Sequence, residues 1–91
     1  MNLSTRQWEI LAADASADVL HQGLVKINSI VFTEYTSDAD TFVVTDRDDA
    51  VIFAGNGQAD LAPVSSSFMS VWANGLKVPT LDTGKLLIYI E

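Results

Sequence analysis

Ninety-one residues, with twelve carboxylates against five basic side chains and a net charge of −7, suffice for one domain, residues 1–91, and no second. The absence of cysteine excludes disulfides and thiolate metal sites as staples and suits assembly in a reducing compartment. The cations are scattered singly, which argues against nucleic acid and anionic lipid as partners, and no apolar run approaches the roughly 20 residues of a membrane span.

A domain this small buries only about 60–65% of its unfolded surface, so its core is thin. Yet 48% of the residues are hydrophobic. An apolar chain without a covalent staple calls for oligomerisation or for docking onto a larger body.

In chain order, "TRQWEILA" alternates Trp8 and Ile10 against Glu9, the pattern of a first strand. The opening "MNLSTRQWEI" lacks the cationic and apolar regions of a secretory signal. "ILAADASADVLHQ" is rich in alanine but has no apolar stripe, so strand, turn, strand is preferred there to a helix.

"LVKINSIVFTEY" is the longest strand candidate. Val25 and Ile27 share one parity, whereas Ile30 and Phe32 share the other. A β-bulge at Asn28–Ser29 accounts for this change of phase, and a strand covered on both faces is the alternative. "DTFVVTDRDDAVIFAG" reads as a hairpin with Asp46–Asp49 in the turn and Phe42 and Val44 across from Val51 and Phe53.

"AGNGQADLAPVSSS" reads as a surface loop. "FMSVWA" and "LKVPTL" flank Asn74–Gly75, the strongest short hairpin signal in the chain. Pro79 marks an edge strand or a bulge. Asp82, Thr83 and Gly84 turn the chain into "LLIYIE", where Leu86, Ile88 and Ile90 face one side and Leu87 and Tyr89 the other. A strand apolar on both faces is covered on both faces, by the core on one side and by a second layer or another subunit on the other. The expected fold is all-β, a small antiparallel β-sandwich or jelly roll of about six to eight short strands.

The candidate chemical sites are weak. Asp46, Asp48 and Asp49, near Asp38 and Asp40, invite a calcium reading, but Val51 and Gln58 stand where an EF-hand loop needs glycine and a bidentate glutamate. His21 is the only histidine, and Ser65, Ser66 and Ser67 lack the G-x-S-x-G surroundings of a nucleophile. A carboxylate pair for glycoside hydrolysis would need a deep cleft that a small sandwich seldom offers. "AGNGQAD" has one G-x-G and no following helix, hence no phosphate-binding case. No catalytic residue, metal or cofactor is expected. Trp8, Trp72, Tyr35 and Tyr89 raise carbohydrate stacking, set against the commoner role of strand aromatics in cores and protein interfaces.

The stretches "VKINSIVFTEYTSDADTFVVTD", the hairpin ending "VIF", and above all "NGLKVPTLDTGKLLIYIE" resemble small all-β virion proteins encoded among the head and tail genes of tailed bacteriophages. The likeness lies in hydrophobic spacing and turn residues and covers the later part of the chain. It implies a non-enzymatic virion protein, assembled in the host cytoplasm, such as a capsid decoration (cement) protein. Its partners would be further copies of itself, in a homo-oligomer such as a trimer, and the major capsid protein or other virion proteins. A carbohydrate- or receptor-binding module is the alternative. Candidate partner contacts are Leu87 and Tyr89, with Trp72 and Met69, and Pro79 if its strand lies at an edge open to a partner strand.

Overall fold

An 18-residue strand cannot lie straight in this molecule. The second strand runs from Ser16 to Thr33 and would extend about 60 Å at the usual rise per residue. The longest dimension of the chain is 35 Å. The strand must therefore bend, and its pairing is broken by irregularities between Ser16 and His21, between His21 and Leu24, and between Ile27 and Ser29. The last is the expected bulge at Asn28. Val25 and Ile27 before it, and Ile30 and Phe32 after it, are all buried on one side of the strand.

The computed structural model describes residues 3, 6–66 and 70–91. The strands are β1 (Gln7–Leu11), β2 (Ser16–Thr33), β3 (Thr41–Thr45), β4 (Val51–Asn56), β5 (Val64–Ser65), β6 (Val71–Leu81) and β7 (Lys85–Ile90), with one short 3₁₀ turn over Ala12–Asp14. Strand, turn, strand thus replaces a helix near the N-terminus. All pairings are antiparallel, in the order β1-β7-β2-β6-β3-β4, and β5 lies beside the far end of β2.

The bent β2 and the long β6 carry this sheet around onto itself. Phe32 on β2 and Phe42 on β3 have ring centroids 4.7 Å apart, although β6 separates their strands in the sheet order. The result is a small all-β sandwich-like fold around one core. That core includes Trp8, Ile10, Ile27, Ile30, Phe32, Phe42, Val44, Leu76, Val78, Leu86 and Ile88. Each fully buried aliphatic or aromatic side chain contributes about 1.5–3 kcal/mol relative to exposure.

The structure corrects several details, among them the loop reading of "AGNGQADLAPVSSS": β4 runs on to Asn56, and Val64–Ser65 pair with β2 as β5. Asn74–Gly75 does not turn a hairpin, because β6 runs through it from Val71 to Leu81. Gly75 has the positive φ that the dipeptide suggested, +88°. It sits at the irregularity where β6 faces His21 to Leu24, with the carbonyl of His21 and the side chain of Arg47 against it. In the β3–β4 hairpin, Val44 faces Phe53 as the alternation requires, but Phe42 faces Gly55 and Val51 faces Thr45 across a bulge, leaving Val51 exposed. The turn itself forms over Asp46–Asp49, closed by Asp46 N–H to the Ala50 carbonyl at 2.9 Å.

At Pro79 the pairing of β6 with β2 has just ended, at Ser16 opposite Val78, and toward β3 the register steps from Thr80 to Lys77. The β3–β6 register shifts across Pro79, so the missing N–H is accommodated by a bulge. Ile90 packs against the core but is only partly buried, while Leu86 and Ile88 are enclosed.

The segment 57–62 is pinned by one side chain. The Tyr35 hydroxyl donates to the Ala62 carbonyl and accepts the Gln58 N–H at 2.9 Å. Tyr35 is 4% exposed and stacks on Phe32 at 4.6 Å.

Candidate functional site

Parity along β7 and its neighbours defines an outer face opposite the core. Leu87 and Tyr89 project there from β7, paired with Val31 and Ser29 on β2 and with Glu9 and Gln7 on β1. Before its bulge, β2 presents Leu24 and Lys26 to the same side, opposite Asn74 and Trp72 of β6. The bulge at Asn28 is what keeps both halves of β2 in phase with this face, because an extra residue reverses every later side chain.

The structure thus brings three of the sequence candidates, Leu87, Tyr89 and Trp72, onto one face. Pro79 lies elsewhere, and Met69 falls outside the described residues. Trp72 is 62% exposed and Leu24 64%, whereas Leu87 and Tyr89 are half-buried among their neighbours. Sequence reasoning missed Leu24, although its parity opposite Val25 and Ile27 would have placed it outward.

Charges frame this apolar strip. Lys26 Nζ lies 5.8 Å from the centre of the Trp72 ring and 3.3 Å from Glu91, which holds the ammonium over the indole. Gln7 donates to the Tyr89 hydroxyl at 3.0 Å. At the other end, Lys85 meets Glu34 at 2.7 Å and Glu9 at 3.3 Å. The hydrogen bond that Lys85 donates to Glu34, then that to Glu9, raises its pKa above the ordinary lysine value. Lys85 also lines a shallow depression of about 300 Å³ with Leu11, Glu34 and Gly84.

The carboxylates of the acidic turns are engaged by their own loops. Asp46 Oδ1 accepts the N–H groups of Asp48 at 2.8 Å and Ala50 at 2.9 Å. Asp82 Oδ2 accepts the N–H and hydroxyl of Thr41 at 2.8 and 3.0 Å. Among the described residues no group of three or more His, Cys, Asp or Glu side chains has a metal-holding arrangement. Micromolar calcium is expected to leave the melting temperature unchanged, and a saturable rise would reveal a site in these turns.

Asp40 is the most heavily used of these groups. Its Oδ2 accepts the Thr83 hydroxyl at 2.5 Å, the Ser37 N–H at 3.1 Å, and the N–H and hydroxyl of Thr36, both at 3.2 Å. The Thr83 bond is the largest influence and holds the carboxyl below its ordinary pKa, against an opposing contribution from burial. A lowered folded-state pKa stabilises above the unfolded value and is lost as pH falls through the folded one. Asp40→Asn is therefore expected to lower the melting temperature at neutral pH, and the difference from the wild type should shrink below about pH 4. A constant difference between pH 7 and pH 2 would rule out this role.

His21 and the serines are not assembled into a site. His21 faces Leu76 on β6, with its ring 4.8 Å from that of Trp8. Ser65 faces Val31 at the far end of β2, and the Ser66 hydroxyl accepts the Ile30 N–H at 2.9 Å. Ser67 lies outside the described residues. Of the four aromatics considered for sugar stacking, Trp8 and Tyr35 are buried, leaving Trp72 and Tyr89 on the outer face. In comparison with known proteins, the chain matches no family model, no curated protein and no solved structure.

Proposed function

We propose that the protein is a non-enzymatic structural component of a tailed-phage virion, a capsid decoration protein acting through protein–protein contact with further copies of itself and with the major capsid protein. The observation that carries the contact role is the outer face: Trp72, Leu24, Leu87 and Tyr89 lie opposite the core, without a covering layer among the described residues. A Trp beside a Lys–Glu pair is the composition of an interface anchor, since exposed aromatics with a charged rim dominate association energy. The virion assignment rests on the spacing resemblance described above, and the acidic surface would keep many copies soluble before assembly.

Two measurements test the reading. Quantified gels of purified particles should show hundreds of copies per virion if the protein decorates the shell, and only a few if it binds a receptor at the tail tip. Light scattering and co-sedimentation with undecorated heads should show assembly that the double variant Leu87→Ser, Tyr89→Lys weakens while its melting temperature stays near that of the wild type. Burial of each side chain at an interface contributes about 1.5–3 kcal/mol, so affinity should fall at least tenfold. A strictly monomeric wild type that ignores heads, tails and itself would overturn the proposal and favour sugar binding through Trp72 and Tyr89.

A further inference from the structure

The two ends of the strand order, β1 and β4, are built differently. On β1, the Arg6 carbonyl accepts the Ile90 N–H, so Trp8 and Ile10 bond inward while Gln7, Glu9 and Leu11 point their backbone groups away from β7. That edge is guarded. The outward N–H of Leu11 is taken by Asp14 Oδ2 at 3.0 Å, and Glu9 places a carboxylate between the other two positions. Charge and self-capping are the usual protection against strand addition.

On β4 the Gly57 N–H bonds the Asp40 carbonyl at 2.9 Å, which sets the alternation for the hairpin. Gly55 and Phe53 then bond inward to β3, and Ala54 and Asn56 turn their N–H and C=O groups outward, while Ile52 is the extra residue of the bulge opposite Val44 and Thr45. Over Val51–Asn56 there is no charged residue and no proline. Beyond the bulge at Ile52, no charge or proline covers this edge.

We propose that β4 is a strand-addition site for an extended segment of another protein, apolar in its middle and basic at its ends. Charge selects that occupant over a second copy of this chain. At the Val51 end stand Asp48 and Asp49, and at the Asn56 end stand Asp38, whose carbonyl accepts the Asn56 amide at 3.2 Å, and Asp60. Arg47 is turned to the Gln22 carbonyl, and Lys77 pairs with Asp49, so Asp48 carries the negative charge at that end. Two-fold pairing of β4 with itself would set the Asp48 end of one copy against the Asp38 and Asp60 end of the other, whereas lysines or arginines would be attracted at both ends. This site is separate from the outer face and stands without the virion reading.

The test uses a short peptide of alternating valine and threonine with paired lysines at each end. The same peptide with glutamate ends and a proline-interrupted peptide with lysine ends serve as controls. Saturable binding of the first is expected, with slowed exchange of the Ala54 and Asn56 amides. Ala54→Pro removes an outward N–H that the fold does not use and should weaken binding roughly tenfold or more. Should that variant unfold, Ala54→Lys replaces it, with Asp18→Asn as a control of equal charge change. Binding that ignores the position 54 variants, or that the proline-interrupted peptide matches, would overturn the proposal as simple charge attraction. Absence of binding would overturn it too, as would a dimer that protects the β4 amides without peptide, which would assign the edge to a second copy.

Discussion

Removal of residues 86 to 91 is expected to abolish cooperative unfolding altogether. The strand lost is internal, with β1 paired along one side of β7 and the second half of β2 along the other. Leu86 and Ile88 are fully buried and meet Ile10 and Trp8 on β1, and Phe32 and Ile30 on β2. Their loss would leave β1 without its pairing strand and would open the apolar inner side of β2 to water. Two enclosed aliphatic side chains alone represent about 4–10 kcal/mol by large-to-small truncation, comparable to the whole stability of a domain this size. Thermal and urea melts followed by circular dichroism provide the measurement. A truncated chain with a sigmoidal transition at the wild-type midpoint would show that β7 is dispensable.

The substitution expected to cost most for the fewest atoms is Gly84→Ala. Gly84 has φ +74°, and a Cβ there would lie 2.4 Å from the Thr33 carbonyl oxygen, 2.6 Å from the Tyr35 nitrogen and 2.8 Å from the Glu34 carbonyl carbon. All three are backbone atoms at the end of β2, so no side chain can rotate out of the way. Strain and clash together should cost about 3 kcal/mol or more, which in a domain of this length lowers the melting temperature by roughly 12–24 °C. Gly23→Ala supplies the contrast. Its Cβ would meet only His21 Nε2, at 3.5 Å, an ordinary contact at a position without positive φ. The Gly23 variant should melt within a few degrees of the wild type, and equal losses at the two positions would contradict the steric argument.

Much of the inward and outward sorting is legible in the residues themselves, because a strand alternates with period two and the alternation is written locally. Trp8 with Ile10, Leu86 with Ile88, and the phase change at Asn28 can each be read from fewer than a dozen neighbours. Leu87 and Tyr89 were assigned to the face away from the core on the same basis. Trp72 could be named as a contact candidate, but its place beside Lys26 and Glu91 depends on β2 and β7 lying next to each other, and β6 along the other side of β2.

By itself, then, the sequence determined most of the strand segments, much of the inward and outward sorting, and where Gly75 and Pro79 would break regular pairing, but not the short β5 or the exposure of Val51. The tertiary structure alone decided what each break becomes. A left-handed glycine suits a hairpin turn and a kink in a continuous strand equally well. Gly75 takes the second form because β2 accompanies β6 on both sides of it, through Leu24 and His21. Pro79 falls at a register shift against β3, just past the end of the β2 pairing, and Phe42 faces Gly55 rather than a large side chain because a bulge shifts the hairpin register by Thr45. Pairing partners come from distant parts of the chain, and the free energy that chooses among them is the burial they achieve together, which no local pattern contains.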